Sequence, residues 1–450
     1  MLQRIESFLG ARDVTVDVPD WESVVPPRTR EAMKPHQREA VDFFYAKNGR
    51  ALVSLPPGAG KTLIGCAVAK FSGGVPNQSL IIVPANKVKD WERDYVKWMA
   101  TSELGEDRPL VISYDKVRND KRVLSGHWRC VVLDESHMIK DVSAKRTQAI
   151  MPLVLRTRYV LFLTGTPVLN HHGELFPMLN GILPHVVSRV WDFNELFCTF
   201  SEFIVRGRSV KKISGSQNGE LLNRLLDRVQ YRNLDVVTTS VPFSRKTVDL
   251  DVEEGGELGL EVTFDKQKFF AMAEHGGDST DVMLAANKLN AKCGLLKAHL
   301  SVPFIRRLLM TKGGVVVFTK HLEPIEVLKG YFPEALVATG ATSAEERDRV
   351  VSTMASGRGR LLITTIRCLG VGVTLCPGVT RVVFVEREFT PSLNDQAECR
   401  AYRMGASESV TSYHMRLKGG WDDVVERKLQ RKASDAAQAV DGGQVKRIRT

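Results

Sequence analysis

The sequence predicts an α/β protein with two parallel-sheet domains of similar build and a helical region between them. Two series of short apolar runs support this prediction, and each run is bounded by turn residues and followed by a helical stretch. The first series is 51–55, 80–84, 130–135 and 159–165, and the second is 314–319, 335–339, 360–365 and 381–386. Short apolar runs that alternate with helices are typical of buried strands in parallel sheets.

Five segments follow from this pattern. They are an N-terminal extension over 1–30, a first α/β domain over 31–180, a helical insertion over 181–300, a second α/β domain over 301–432 and a basic flexible tail over 433–450. In the insertion, apolar residues recur at the helical spacing of a core-facing helix, at Leu222, Leu225, Leu226 and Val229. The Gly-rich acidic stretches 251–261 and 274–280 indicate turns or flexible connections.

The composition favours a soluble globular protein with a polyanionic partner. The 450 residues are 43% hydrophobic and 26% charged, and Lys plus Arg exceed Asp plus Glu by 63 to 52, a formal charge of +11. This excess fits nucleic acid, and the alternative is a generally basic solvated surface. The seven cysteines are scattered without a C-x-x-C pair, which argues against a disulfide framework and a zinc site. We predict an intracellular protein without a membrane segment, since no apolar run approaches about 18 residues.

The stretch SLPPGAGKT, residues 54–62, resembles a phosphate-binding loop. It follows a predicted strand and precedes a helical stretch, which is where backbone N–H groups and a helix N-terminus bind phosphates. Lys61 is expected to reach the β- and γ-phosphates, and the Thr62 hydroxyl is expected to hold Mg²⁺. The loop itself is Leu55, Pro56, Pro57, Gly58, Ala59 and Gly60. The alternative is a Pro-Gly turn that ends in Lys-Thr by chance.

An acidic pair follows about seventy residues later, where CVVLDESH ends a predicted strand. Asp134 at the carboxyl end of the strand is placed to hold the magnesium ion. Glu135 beside it is placed to orient or deprotonate an attacking water molecule. The alternative is a pair of solvated loop acids.

A third motif, QAECRAYRMG at 396–405, follows the last predicted strand of the second series. Arg400 and Arg403 are three residues apart, so on a helix both side chains point to one side. Guanidinium groups supplied by a second domain are suited to stabilising charge on a transferred phosphoryl group. The alternative is an exposed basic helix face.

Together these motifs resemble superfamily-two helicases and translocases, specifically the SWI/SNF-type remodeller ATPases and, within them, the annealing-helicase (HARP-like) branch. The resemblance covers about residues 31–432, with the motifs in the family's order. Its carriers are KPHQREAVDFF, LIIVPANKVKDWERDYVKW, DESH, LFLTGTPVLNHHGELFPMLN, GATSAEERDRVVSTM, LLITTIRCLGVGVTL and FTPSLNDQAECRAYRMGASESV. Superfamily-two loops usually lack the first glycine of the strict phosphate-loop pattern, so Leu55 fits this resemblance. Cys399 and Tyr402 depart from it, since the family has an acid and a histidine there.

The resemblance implies two tandem RecA-like domains that bind ATP with Mg²⁺. It places Gln37 at the adenine and gives Lys61, Asp134, Glu135, Gln396, Arg400 and Arg403 as the catalytic set. It implies that His137, Thr164 and Thr166 couple the ATP site to nucleic acid. It also implies that Gly340, Thr364, Thr365, Gly370 and Gly372 line the nucleic-acid track.

The function predicted on this basis is an ATP-dependent DNA translocase or helicase-like motor that moves along, remodels or anneals duplex or forked DNA. The alternatives are a strand-separating DNA or RNA helicase, a P-loop switch or transporter component, and a catalytically silent nucleic-acid-binding scaffold. The scaffold would have lost part of the catalytic set, and none of it is missing. The expected location is nuclear, or a site of viral replication if the chain is virus-encoded. Two other features, the His171-His172 pair and the pair Trp91 and Trp98, are interpreted as loop and packing residues.

Overall fold

The computed structural model describes residues 1–12, 16–74, 78–100, 108–205, 208–233, 236, 241–274, 279–369, 373–403, 405–418, 421–423, 426–427, 429–430 and 434. These residues form two compact units, built on Met1–Val237 and Thr238–Arg431. Each unit contains one six-stranded sheet, and all the strand pairings within both sheets are parallel. The prediction of two parallel-sheet α/β domains is therefore confirmed.

The first unit opens with three helices and then alternates strands and helices. Its helices are α1 (Leu2–Gly10), α2 (Pro27–Ala32), α3 (Pro35–Ala46), α4 (Lys61–Gly73), α5 (Val88–Met99), α6 (Tyr114–Val117), α7 (Lys121–Ser125), α8 (Lys145–Arg156), α9 (Phe176–Ile182), α10 (Val190–Phe197) and α11 (Gly219–Asp227). Its strands are β1 (Arg50–Ser54), β2 (Ser79–Val83), β3 (Leu110–Ser113), β4 (Cys130–Asp134), β5 (Tyr159–Thr164), β6 (Cys198–Val205), β7 (Arg208–Ser216) and β8 (Gln230–Arg232). Short 3-10 turns lie at Trp21–Val24, Ala85–Lys87, Ser136–Ile139 and His172–Leu175.

The sheet of the first unit has the strand order β3-β2-β4-β5-β1-β8. The interior positions of its central strands are apolar, because successive side chains point to opposite faces and both faces are covered. Leu52 and Phe162 pack into the core on one face, whereas Val53 and Leu163 pack into the core on the other. The sheet is thus buried on both sides, and its carboxyl edge carries the loops that hold the predicted motifs.

The register of this sheet brings the motifs together. Ser54 at the end of β1 pairs with Thr164 at the end of β5, and Asp134 at the end of β4 pairs with Leu163. Because these strands are parallel and end at the same level, the phosphate loop, the acidic pair and the TGTP segment all emerge at one edge. Ligands of open α/β sheets bind outside this carboxyl edge.

The second unit repeats the pattern. Its strands are β9 (Phe243–Leu250), β10 (Gly314–Thr319), β11 (Leu336–Ala338), β12 (Leu361–Thr365), β13 (Val379–Phe384) and β14 (Val410–Leu417). Its helices are α12 (Gly256–Glu274), α13 (Ser279–Leu300), α14 (Val302–Leu309), α15 (Glu323–Tyr331), α16 (Ala344–Ala355) and α17 (Pro391–Glu398), and a 3-10 turn spans Glu253–Gly255. The strand order is β11-β12-β10-β13-β14-β9.

The region predicted as a helical insertion contains four helices, α10 to α13, and four strands as well. β8 and β9 extend the two sheets as edge strands, and β6 and β7 form an antiparallel hairpin. Leu222, Leu225 and Leu226 are buried on α11, as their spacing predicts. The predicted turn over 251–261 is wrong after residue 255, because the glycine-containing stretch there opens α12, which packs along α13. Among the described helices, none combines the length and apolarity that a membrane crossing requires.

Candidate active site

The loop between β1 and α4 is held in a shape that needs glycine. Gly58 and Gly60 have φ angles of 84° and 78°, in the left-handed region that side chains disfavour. A Cβ atom on Gly60 would also lie 2.1 Å from Nε2 of Gln37. The conformation and the close approach together explain why the sequence places glycine at this position.

Gln37 on α3 is hydrogen-bonded to the backbone of this loop. Its side-chain amide donates to the carbonyl oxygens of Ala59 at 3.1 Å and Gly60 at 3.4 Å. Its Oε1 atom accepts a hydrogen bond from the Lys34 backbone amide at 2.9 Å. The structure therefore gives this buried glutamine contacts with the phosphate loop, and its contact with an adenine stays a prediction.

Lys61 is the first residue of α4, and its ammonium lies over the loop. Nζ donates to the carbonyl oxygens of Leu55 at 2.8 Å and Pro56 at 3.2 Å. Thr62 follows it on the same half-buried helix N-terminus. Unpaired backbone N–H groups and the helix dipole make such a terminus favourable for anions. One lysine, one hydroxyl and these amides can therefore converge on phosphate oxygens.

Asp134 ends β4 as a buried carboxylate with two donors. Its Oδ2 atom accepts from the Trp91 indole N–H at 2.9 Å, and Oδ1 accepts from the Glu135 backbone amide at 3.0 Å. Burial and, to a smaller extent, the charge of Glu135 raise the pKa of this carboxyl to about 6, against the opposing effects of the Trp91 hydrogen bond and the Lys61 charge. A buried carboxylate that costs energy to ionise gains most from a nearby cation.

Glu135 adopts a conformation that is rare for its residue type. Its φ angle is 50°, in the left-handed region, and its side chain is buried. Within the described residues its Oε2 atom has no hydrogen-bond partner, and it lies 3.4 Å from His137 Nδ1 without the geometry of a hydrogen bond. Backbone strain and an unpartnered buried oxygen in one residue are typical of functional sites.

His137 and the TGTP segment are in direct contact. Nδ1 of His137 lies 3.1 Å from the Thr164 hydroxyl, which also accepts from the Thr166 backbone amide at 3.1 Å. Burial lowers the pKa of His137, so the imidazole is neutral near pH 7. Nδ1 of this imidazole thus lies between the Thr164 hydroxyl and, at 3.4 Å, the Glu135 carboxylate. The three residues form one hydrogen-bonded chain behind the acidic pair.

The segment after TGTP is fixed by Glu174, a residue that sequence reasoning did not single out. Its carboxylate accepts from the backbone amides of Leu169 at 2.7 Å and Asn170 at 2.8 Å, and from Lys140 Nζ at 2.8 Å. Burial alone would raise the pKa of this carboxyl, but the Lys140 charge and these hydrogen bonds lower it. The nearby His172 is buried and its Nδ1 lies 3.1 Å from the Gln217 carbonyl oxygen, in agreement with a loop role.

Trp91 on α5 does more than the packing role predicted for it. It is buried, and it lies so close to α4 that a Cβ on Gly65 would be 2.6 Å from its ring. Its indole N–H also orients the Asp134 carboxylate. Sequence reasoning missed this role, and the only signal for it was a tryptophan inside a motif of the family.

Substituting phenylalanine for Trp91 is expected to keep most of the ring packing but remove the donor to Asp134. We expect the free energy of unfolding to fall by about 1 to 3 kcal/mol, since a buried acceptor loses its partner. If Asp134 holds Mg²⁺, the Mg²⁺ concentration for half-maximal ATP turnover should rise about tenfold or more. Because a proton on Asp134 competes with the metal, this concentration should rise further as the pH falls from 7 toward the pKa of about 6.

The matched control for this substitution is Trp98→Phe. Trp98 lies on the same helix, half-buried, with the Lys97 ammonium 4.5 Å from its ring centroid. The Trp98→Phe substitution should leave the Mg²⁺ concentration for half-maximal ATP turnover unchanged. Equal Mg²⁺ dependence in the Trp91→Phe and wild-type proteins would contradict the positioning role.

In the second unit, the predicted helix does not reach the two arginines. Gln396 lies on α17, but this helix ends at Glu398, so Arg400 and Arg403 do not share a helix face and the helical prediction is wrong there. The backbone leaves the helical path here, because the Arg400 carbonyl oxygen accepts a hydrogen bond from the Leu375 amide at 2.8 Å. Arg403 Nη1 donates to the Thr374 hydroxyl at 2.9 Å. Both arginines are thus anchored to segment 373–375.

The predicted nucleic-acid residues of this unit gather partly at one sheet edge. Thr364 and Thr365 end β12, and Gly340 follows the neighbouring strand β11 by two residues. Gly340 is exposed with open space around it, whereas Thr364 is fully buried. Gly370 and Gly372 lie outside the described residues. Gly340 and Thr365 are therefore the described members that present surface at this edge.

Two protein families match the chain. The SNF2-related domain matches residues 36–250, and the helicase conserved C-terminal domain matches residues 300–405. The first match covers most of the first unit and extends through β9 of the second, and the other match lies within the second unit. They also include the phosphate loop, the acidic pair and both arginines.

Curated relatives are similar over most of this chain. The human DNA annealing helicase and endonuclease ZRANB3 is 24% identical, covering 93% of this chain and 41% of its own length. SWI/SNF-related matrix-associated actin-dependent regulator of chromatin subfamily A-like protein 1 of Xenopus tropicalis is 24% identical, covering 93% of this chain and 46% of its own. This chain thus spans less than half the length of these relatives.

A solved structure, the Sulfolobus solfataricus SWI2/SNF2 ATPase core in complex with dsDNA, aligns with a TM-score of 0.40 and 17% identity. The alignment covers 95% of this chain and 98% of that one. The family matches and the relatives confirm the resemblance stated from the motifs. With an SNF2-related domain followed by a helicase conserved C-terminal domain, the chain has the two-domain organisation that its resemblance to superfamily-two helicases and translocases implies.

Proposed function

We propose that the chain is a nucleic-acid-dependent ATPase that uses ATP and Mg²⁺ to translocate along, remodel or anneal duplex or forked DNA. The observation that carries this proposal is the meeting of three motifs at one carboxyl edge of the first sheet. There Lys61, the acidic pair and the His137–Thr164 contact all lie at the ends of adjacent parallel strands. This arrangement is suited to phosphoryl transfer, in which positioning and charge stabilisation do most of the work.

The residues at this edge fit both a triphosphate and its metal. The Lys61 ammonium would exchange its two carbonyl acceptors for phosphate oxygens, next to the amides of the α4 N-terminus. Thr62 and Asp134 supply the oxygen donors that Mg²⁺ prefers, and the raised pKa of Asp134 marks a carboxylate that a cation would stabilise. Bound Mg²⁺ would neutralise charge on the phosphate oxygens.

Glu135 is the proposed general base. Its buried Oε2 atom, which has no hydrogen-bond partner among the described residues, can accept a proton from a water molecule beside the phosphate. His137 next to it is neutral near pH 7, so it adds no positive charge that would lower the basicity of this carboxylate. The hydrogen-bonded chain from His137 through Thr164 to Thr166 then links this base to the segment that the family resemblance assigns to coupling.

The DNA substrate is supported by charge and by the relatives. The formal charge of +11 favours a polyanion, and the names of the relatives describe a DNA annealing helicase and a chromatin regulator. Gln396, Arg400 and Arg403 as catalytic residues, and the track residues of the second unit, remain predictions. The location proposed for this activity is the nucleus, or a site of viral replication if the chain is virus-encoded.

ATP turnover measured with different nucleic acids tests this proposal. The arms are no nucleic acid, single-stranded DNA, blunt duplex DNA, forked DNA and RNA. We expect duplex or forked DNA to stimulate turnover at least about tenfold and the stimulation to weaken with salt, because phosphate contacts release counterions. Stimulation by RNA alone would overturn the DNA assignment, and absence of turnover in every arm would favour a silent scaffold.

A further inference from the structure

A pocket of about 450 Å³ lies at the base of the β6–β7 hairpin, and none of its lining residues belongs to the candidate active site. Its lining residues come from α10, from the hairpin and from the residue after it. They are Trp191, Glu195, Cys198, Thr199, Phe200, Lys211 and Gln217. No role was assigned to any of these residues from the family motifs.

The pocket has an exposed aromatic wall. The Trp191 side chain is 51% exposed, and its ring centroid lies 6.1 Å from that of Phe200 with the planes 32° apart. A tryptophan that leaves half its surface in water forgoes much of the hydrophobic stabilisation that burial would give it. Its open face is a surface on which a planar ring can stack.

The hairpin adds positive charge beside this wall. Because side chains alternate along each strand, Lys211 lies on the face of the ladder that carries Phe200 and Glu202, and Lys212 lies on the other face. Lys211 lies opposite Glu202 in the ladder, with its Nζ 3.6 Å from that carboxylate and a side chain 56% exposed. The weak, exposed ion pair leaves the ammonium available to a phosphate.

The base of the hairpin is tied to the segment that follows the TGTP motif. The Ser216 hydroxyl accepts from the His172 backbone amide at 3.1 Å, and a Cβ on Gly173 would lie 3.1 Å from Cys198 Sγ. Gln217 in turn donates to the Glu195 carbonyl oxygen at 2.8 Å. The pocket is therefore built on the same segment that Glu174 fixes next to the coupling residues.

We propose that this pocket binds one unpaired base of a DNA single strand, stacked on Trp191, with Lys211 beside the adjoining phosphate. Stacking on aromatic rings with a cation nearby is how single strands are held without sequence preference. An apolar peptide is better matched by the groove on the other side of Trp191, of about 630 Å³, which is lined by Met151, Leu155 and Phe176. The site deepens the proposed function, since it gives a duplex motor a contact for the open arm of a fork.

The test is the affinity of the full-length chain for a labelled oligothymidylate of about 20 nucleotides and for a blunt duplex of equal length. Trp191→Ala should weaken single-strand binding about tenfold, within the range measured for one stacked base. Trp191→Phe should retain most of the affinity, and Leu155→Ala, which removes an exposed apolar side chain from the neighbouring groove, should have no effect. Binding of the blunt duplex and its stimulation of ATP turnover should match wild type in all three variants.

The contribution of Trp191 should also be independent of salt. The ratio of the Trp191→Ala and wild-type dissociation constants should be the same at about 50 and 200 mM salt, because stacking releases no counterions. Unchanged single-strand affinity in Trp191→Ala would overturn the proposal. An equal loss of affinity for the single strand and the duplex in Trp191→Ala would also overturn it, because Trp191 would then contribute to DNA binding of any form. Because binding is measured without ATP, failure of the proposed motor function would show separately, as absent turnover in the wild-type chain.

Discussion

Lys61→Ala is expected to lower DNA-stimulated ATP turnover at least about a hundredfold, since one charged group aimed at the reacting phosphates contributes on this order. The substitution removes the ammonium that lies over the Leu55 and Pro56 carbonyl oxygens. It leaves the two left-handed glycines and the Gln37 contacts that shape the loop. DNA retention should remain near wild type, because non-specific binding is distributed over many phosphate contacts.

Lys70→Ala is the matched control. Lys70 lies near the C-terminal end of the same helix, about 13 Å along its axis from Lys61. Both substitutions replace a lysine by alanine, so they remove the same charge. Turnover within about twofold of wild type is expected for it, as for most changes of one distant surface charge. Normal turnover in Lys61→Ala would refute the assignment of residues 54–62 as the ATP site, and a parallel loss of DNA retention would point to misfolding.

The candidate site of the first unit was largely predictable from sequence, because its residues lie directly after the carboxyl ends of strands. In a parallel sheet, residues that directly follow different strands lie at the same edge. Apolar runs followed by GKT, DESH and TGTP therefore predict that these three motifs lie together at the carboxyl edge of the sheet. The register of β1, β4 and β5 realises this meeting. Left-handed glycines at 58 and 60 also follow from the loop's composition.

The contacts that orient the site were not predictable in the same way. Trp91 and Asp134 are 43 residues apart, and Glu174 meets Lys140 across 34 residues, so no local spacing links these side chains. Edge strands such as β8 are equally non-local, since Leu52 pairs with Gln230. Helix α17 ends early for a similar reason, because the Leu375 amide binds the Arg400 carbonyl oxygen.

The departures of the second unit from the family pattern are accommodated by packing. Cys399 is a buried free thiol, and Tyr402 packs on Phe243 with ring centroids 4.7 Å apart. The acid that the unit does carry beside them, Glu398, accepts from His414 and Arg245. Burial alone would raise the pKa of Glu398, but these two partners lower it to about 2. A fixed, ionised carboxylate next to Cys399 therefore anchors the end of α17.

Glu135→Gln is expected to lower the turnover number about a thousandfold while ATP binding is retained. A positioned general base contributes about a hundred- to ten-thousandfold, and the amide keeps the shape of the carboxylate while losing its basicity. Removing the charge also relieves the repulsion that helps to raise the pKa of Asp134. Binding of a labelled ATP analogue with Mg²⁺ should therefore be unchanged or tighter, and single-turnover kinetics would separate the two steps. Wild-type turnover in this variant would remove Glu135 from the chemistry.

The backbone at Glu135 allows a second test that separates function from folding. Glycine is the residue best suited to its φ angle of 50°, and an L-residue there costs about 1 to 2 kcal/mol. Glu135→Gly should therefore be more stable than Glu135→Ala by about 1 kcal/mol, because both lack the carboxylate and only the alanine retains the strain. Its unfolding temperature should equal or exceed that of wild type, since a buried, unpartnered oxygen is also lost. If the Glu135→Gly protein is more stable than wild type but inactive, the glutamate contributes to the chemistry and not to the fold. A large fall in the unfolding temperature of Glu135→Gly would show instead that the Glu135 side chain supports the fold.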